Sequence, residues 1–410
     1  MNPEKRKSFL SVLFVIFMDN FGFGLVFVMF APLVFSPQYS LVAPDTSIAM
    51  RNFYLALLFA GYPLTQLFGA PLLGDIADQI GRKKALYLSI AGVVIGFLFS
   101  GFALLVSSMA FLVFSRLVSG FFAGNLSICL SAIADLSPTE KNRSRNFGIV
   151  TVVWAISWNI AMLVGGYLSD PTKSRFFSPS LPFWVTAVLT MLSFVAIAKW
   201  YTETHPPGKR SRLDIVKGIH NIHAALKIKS VRPYFLVLII WTVGWGLSVQ
   251  WFGAYTLLEY NSSQEAISWG LFTQGLTWSL GGSIINPLLL KKLKSLPIAM
   301  IGYLGCTFFL ILTALANNFI LFSVFYCTAA MFSSFAFSNT MNLASIHAPE
   351  EIQGKIMGLS QSMMSFGWVL VPILGAITNT RAIGLFYPIS ALVVGLALIF
   401  LFIELKRKKA

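Results

Sequence analysis

The sequence predicts an all-α integral membrane protein with twelve transmembrane helices arranged as two pseudo-symmetric six-helix bundles. Three observations carry this reading. Of the 410 residues, 56% are hydrophobic and 11% charged, whereas soluble domains carry roughly 25% charge. Twelve apolar stretches approach the roughly 20 residues a helix needs to cross a bilayer, where lipid offers no partner to an unpaired amide. The two halves also resemble each other at a constant offset of 210 residues: Ser137 to Gly148 aligns with His347 to Gly358, and Gly165 with Gly375.

The spans follow in order, with the strongly polar residues that each contains. Span 1 (9–35) comes after Lys5, Arg6 and Lys7 and contains Asp19 and Asn20; it is too long for a secretory signal and has no small-x-small cleavage site. Span 2 (53–74) has Gln66, span 3 (85–106) has none, and span 4 (109–135) has Arg116 and Asn125. Span 5 (147–168) has Asn159 and span 6 (181–201) has none. Residues 202–232 form the longest polar stretch and divide a bundle at 1–201 from one at 233–410. Span 7 (233–257) has Gln250, span 8 (268–290) has Gln274 and Asn286, and span 9 (297–316) has none. Span 10 (319–343) has Asn339 and Asn342, span 11 (356–377) has Gln361, and span 12 (383–404) has none in its apolar stretch. Burying such groups against lipid is costly. The period of three therefore implies that two helices of each triple face a central cavity while the third buttresses them against lipid.

A net charge of +15 suggests a nucleic-acid partner only if the basic residues cluster on a polar domain, and no polar stretch is long enough to make one. With the N-terminus inside, 25 of the 30 Lys and Arg lie in cytoplasmic segments, and the outer loops keep Arg51, Lys173, Arg175 and Arg381. Positive residues near span ends are retained in the cytoplasm, so the excess records topology, with both termini cytoplasmic. Cys129, Cys306 and Cys327 all lie in spans, where a thiol is a small apolar filler. No metal, cofactor or catalytic thiol is expected. In the linker, Leu213, Val216, Ile219 and Leu226 recur at near-helical spacing among basic residues, as in a helix lying on the inner membrane surface. His220 and His223 share a face there and lack further metal ligands.

The motifs resemble those of a known family. The run from Gly74 to Lys83, GDIADQIGRK, is similar to the signature loop of the major facilitator superfamily, G-x-x-x-D-[RK]-x-G-[RK]-[RK], and departs from it only at Gln79. Leu112, Arg116 and Gly120 resemble the span 4 motif, and Ala134, Asp135, Pro138, Glu140 and Arg143 the segment after it. Asp19 with Pro32 resembles the span 1 motif of twelve-span drug/proton antiporters of the tetracycline-efflux group, and Glu203-Thr204-His205 their span 6 ending. Span 5 departs: Ala161 and Met162 stand where antiporters of this type usually carry the Gly-Pro pair thought to enforce exchange. The second loop copy, Lys291 to Lys294, keeps only the charge. The resemblance implies the major facilitator fold, with Gly74, Asp78, Gly81, Arg82 and Lys83 as a gating loop.

Asp19 is the one acidic residue well inside a span and Arg116 the one basic residue. A carboxyl group out of water is costly to keep charged, and a nearby cation offsets that cost, so Asp19 is the candidate carrier of a coupling proton and Arg116 its tuner. The alternative is a static salt bridge between spans 1 and 4. Trp158 and Trp245, with the neutral polar residues Asn20, Gln66, Asn125, Asn159, Gln250, Gln274, Asn339, Asn342 and Gln361, suit a cavity for an amphipathic organic solute. Such scattered groups disfavour a strongly anionic substrate such as a sugar phosphate. The expected function is proton-coupled secondary transport across a bacterial-type inner membrane by alternating access, by a monomer whose partners are lipid, protons and a small organic solute. Export of a drug, metabolite or siderophore comes first, and uptake of a nutrient or siderophore is the alternative. From a different class, a non-transporting membrane sensor or scaffold competes. No enzyme constellation and no phosphate loop of the form G-x-x-x-x-G-K-[ST] is present.

Overall fold

The computed structural model describes residues 3–36, 41–137, 139–208, 213–349, 356–379 and 383–407; the side chains of Glu140, Lys141 and Ser144, of the residues flanking the last two gaps and of residues 404–407 are not described. Pro138, Lys355 and Arg381, and residues 350–355 of the repeat alignment, lie outside the described residues. All regular structure among the described residues is helical. The helices are α1 (Pro3–Phe35), α2 (Ile48–Ile80), α3 (Arg82–Leu105), α4 (Met109–Phe122), α5 (Asn125–Asp135), α6 (Glu140–Ser169), α7 (Leu181–Trp200) and α8 (Lys217–Lys227). They continue with α9 (Arg232–Gln250), α10 (Phe252–Tyr260), α11 (Gln264–Leu280), α12 (Asn286–Leu290), α13 (Ser295–Ala314) and α14 (Phe319–Ile346). Two more follow, here numbered α15 (Ile356–Asn379) and α16 (Phe386–Arg407).

Eleven described stretches are long and apolar enough to cross a membrane. The predicted span 8 is present in pieces. A π-helical turn at Gly281–Ile285 separates α11 from α12, so neither piece alone reaches membrane length. Spans 4 and 7 are also jointed, at Ala123–Gly124 and at Trp251. Polar caps start several helices: Ser108 accepts from Phe111 N, Thr139 from Asn142 N, Ser263 from Ala266 N and Asn318 from Leu321 N. Each satisfies one of the donors a helix start leaves unpaired.

The described residues group into two compact units, one of residues 1–33 and 61–218 and the other of residues 34–60 and 219–410. In the first, α3 packs along α4 and α7; in the second, α13 packs along α14 and α16. Span 3 thus meets spans 4 and 6 as span 9 meets spans 10 and 12, which is the repeat read from the sequence. Span 1 and its counterpart, span 7, are the most buried of the eleven. The predicted buttresses carry stripes of exposed apolar side chains, Ile301, Leu304, Phe308 and Ile311 on α13 and Leu392, Leu396 and Ile399 on α16. Such stripes belong against hydrocarbon, because water would penalise them.

Candidate functional site

Within the first unit the joint in span 4 organises the polar side chains. Helix α4 stops at Phe122, Ala123 and Gly124 leave helical geometry (ψ 48° and 0°), and α5 restarts at Asn125. The carbonyls freed there are recovered: Gln66 Nε2 donates to Ala123 O at 3.1 Å and Ser89 Oγ to Phe122 O. A carbonyl left unpaired in an apolar interior costs about 1–3 kcal/mol, so Gln66 in particular makes the joint tolerable, since Phe122 O also accepts from Gly124 N at 2.8 Å. The restart places Asn125 at the head of α5, where its Nδ2 donates to Asp19 Oδ1 at 3.4 Å. Asp19 itself is partly buried.

Arg116 is 1% exposed. Its guanidinium carbon lies 5.1 Å from the ring of Tyr62 and 5.7 Å from that of Phe30. Nε and Nη1 are buried without an acceptor. Among the described residues no ion pair joins Arg116 to Asp19, so the static salt bridge is not formed. Two glycines bring α2 and α4 close enough for the Tyr62 contact: a Cβ on Gly120 would lie 2.2 Å from Tyr62 O, and one on Gly69 would lie 1.8 Å from Phe121 O. Thr65 Oγ1 ties the same pair by donating to Leu117 O at 2.8 Å. Small residues serve this purpose at helix contacts in membranes.

Spans 1 and 5 are joined by Asn20 Nδ2, which donates to Trp154 O at 2.7 Å, and by Ser157 Oγ, which donates to Phe17 O. Asn159 turns back to its own helix, donating to Ala155 O at 2.8 Å. Trp158 meets Phe27 at 5.0 Å and Phe23 at 6.0 Å between ring centroids, and Phe23 meets Tyr62 at 5.4 Å. Aromatic faces therefore run from the Arg116 guanidinium through Tyr62 and Phe23 to Trp158. The sequence reading missed Tyr62, although it lies one helical turn from Gln66, which would have marked the same face.

In the second unit several of the polar residues hold helices together. Asn339 Nδ2 donates to Asn286 Oδ1 at 2.7 Å and to Phe335 O at 2.9 Å, and Asn342 Nδ2 to Ser295 Oγ at 2.7 Å. Trp245 stacks on Tyr326 at 5.6 Å. Gln250 ends α9 beside the joint at Trp251; it and Gln274 are buried, each with an Oε1 that accepts no hydrogen bond. Gln361 is partly buried on α15.

The loop after α2 is held by its neighbours in the first unit. Gly81 has φ 90° and ψ 153°, a region open to glycine alone. A Cβ there would lie 2.6 Å from Glu203 Oε2. That approach lets Glu203 accept from the amides of Arg82 (3.1 Å) and Lys83 (3.0 Å), at the start of α3, where a carboxylate complements the helix dipole. Thus Glu203 is the carboxylate at the helix N-terminus, while the side chain of Asp78 is exposed and its carbonyl accepts from Gly208 N at 3.0 Å. Arg82 pairs with Asp135 at 2.9 Å, Lys83 Nζ donates to Ala198 O at 3.1 Å, and Lys217 pairs with Asp75. A Cβ on Gly74 would meet nothing within 4 Å.

Comparison with known proteins agrees with this architecture. The family model described as Major Facilitator Superfamily matches residues 9–372. The chain is 23% identical over 419 residues to the class H tetracycline resistance protein of Pasteurella multocida, covering 96% of this chain and 95% of the relative. It is 24% identical over 381 residues to the quinolone resistance protein NorA of Staphylococcus aureus, covering 90% and 89%. Among solved structures, the human organic anion transporter MFSD10 (TETRAN) superposes with a TM-score of 0.72 at 16% identity, covering 98% of this chain and 100% of that one. The nucleoside transporter NupG superposes with a TM-score of 0.73 at 11% identity, covering 97% and 99%. The chain is therefore a multi-pass membrane transporter, not an enzyme, and belongs to the Major Facilitator Superfamily.

Proposed function

We propose that this transporter moves a small amphipathic organic solute across a bacterial-type inner membrane by alternating access, driven by protons, with export as its direction and both termini cytoplasmic. The observation that carries the coupling is the separation of the two internal charges. Among the described residues, Asp19 takes the Asn125 amide, Arg116 lies against aromatic faces, and no ion pair joins the two. A carboxyl group held without a cation is free to gain and lose a proton as its surroundings change. Relatives named for resistance to tetracycline and to quinolone favour export. A second reading, proton-coupled uptake, is favoured by Ala161 and Met162, which leave α6 an uninterrupted helix where antiporters of this type carry Gly-Pro.

The test is transport of a solute panel by inverted vesicles under an imposed pH gradient. Asp19→Asn is expected to abolish gradient-driven accumulation, with gradient-free exchange reporting that the protein is folded. Driven transport unchanged by Asp19→Asn would overturn the coupling. The sign of the gradient that drives accumulation separates export from uptake.

A further inference from the structure

A guanidinium carries five N–H donors and cannot shed its charge. In soluble and membrane interiors alike such a group is paired, because cation–π contact alone does not replace the hydration it gives up. Arg116 breaks that pattern: it is 1% exposed, two of its nitrogens have no acceptor among the described residues, and the Asp19 carboxylate takes the Asn125 amide instead of pairing with it. Its neighbours are the rings of Phe30 and Tyr62, and from Tyr62 the aromatic faces continue to Phe23 and Trp158. Phe23 and Trp158 are the two members of that run left partly exposed. On α6, Trp158 lies on the side opposite the exposed Val152, Ile156 and Ile160, so it faces away from the apolar stripe that meets lipid.

We propose that Arg116 and this aromatic run form the binding site for a singly charged aromatic anion. Its carboxylate or equivalent acidic group pairs with Nε and Nη1 in the bidentate geometry that guanidinium favours, and its ring lies against Phe23 and Trp158. The charge is limited to one because Arg116 is the sole basic residue deep in a span, and a second negative charge would be buried without a partner. The inference rests on the chain moving an organic solute, whichever its direction.

The experiment is equilibrium binding to the purified full-length protein in detergent near neutral pH, by calorimetry, with 2-naphthoate and its neutral counterpart 2-naphthamide. No gradient is involved, so failure here leaves the Asp19 coupling test standing, and failure of that test leaves this one standing. The carboxylate is expected to bind at least about ten-fold more tightly than the amide, as for a charge-assisted pair against a neutral one. Arg116→Gln should bring the ratio to about one, and Arg116→Lys should keep part of it, since lysine retains charge without the planar fork. Trp158→Ala should weaken both ligands alike. Equal binding of the two probes, binding of neither, or a preference that survives Arg116→Gln overturns the proposal. If Arg116→Gln does not elute as a monodisperse species, the wild-type ratio and its reduction in Arg116→Lys decide.

Discussion

The approach of α2 to α4 makes Gly120→Ala the sharpest perturbation available. The new Cβ would lie 2.2 Å from Tyr62 O and 2.6 Å from Tyr62 Cα, both backbone atoms of a neighbouring helix, so no side chain can swing aside. An ordinary contact needs 3.4–4 Å, so one helix has to move by about 1 Å or more, at a cost of about 1–3 kcal/mol for overpacking. The same displacement draws Arg116 off the Tyr62 ring at 5.1 Å, a contact worth about 0.5–2 kcal/mol. Gly69→Ala, at 1.8 Å from Phe121 O, should cost at least as much. Gly148→Ala is the control, because a Cβ there meets nothing within 4 Å on an exposed helical turn, and alanine adds about 0.8–1.0 kcal/mol of helix propensity. Thermal unfolding of the three variants in detergent, followed by monodispersity, should rank Gly148→Ala at or above wild type and the other two several degrees below it. Gly120→Ala that melts with wild type and transports at its rate would show that the two helices do not meet there.

Three further outcomes are expected. Asn339→Leu or Asn286→Leu alone leaves a buried amide without its partner and should cost about 1–3 kcal/mol in thermal unfolding, whereas the double change should be nearer neutral. Arg82→Asp and Asp135→Arg should each slow transport, and the combined swap should recover part of the rate, with a coupling of about 0.5–3 kcal/mol across the cycle; strict additivity would exclude a functional pair. Gly81→Ala should destabilise by about 1–3 kcal/mol through backbone strain alone, more than Glu203→Gln, which removes a helix-dipole interaction of about 0.3–1 kcal/mol. The comparison is read from melting curves measured side by side.

Apolar length, basic residues at span ends and the 210-residue offset are properties of whole segments, and they made the fold legible before any coordinates. The isolation of Asp19 and Arg116 was equally plain, since two ionisable side chains in apolar runs need no structure to be noticed. What each touches was not. Asn125 reaches Asp19 only because span 4 breaks at Ala123–Gly124, and nothing in a Phe-Phe-Ala-Gly run announces a joint. Gln66 looked like a cavity residue because any glutamine in a span does; its carbonyl partner exists only once the joint has freed it. Likewise Asn339 and Asn342 bond to residues 53 and 47 positions away, separations at which sequence patterns carry no pairing information.

The division of the chain carries a lesson for anyone building chimeras. Residues 34–60, from the last residues of α1 to the first turns of α2, belong to the same compact unit as residues 219–410, and the border in the polar stretch falls inside α8, after Gly218. A gene cut at that border therefore leaves the second product without residues 34–60 of its own unit, while the first product carries them beside a unit to which they do not belong. Exchanging the C-terminal halves of two relatives would pair each new half with a foreign 34–60 segment. A recombination point that respects the units has to carry the 34–60 segment along with the half to which it belongs.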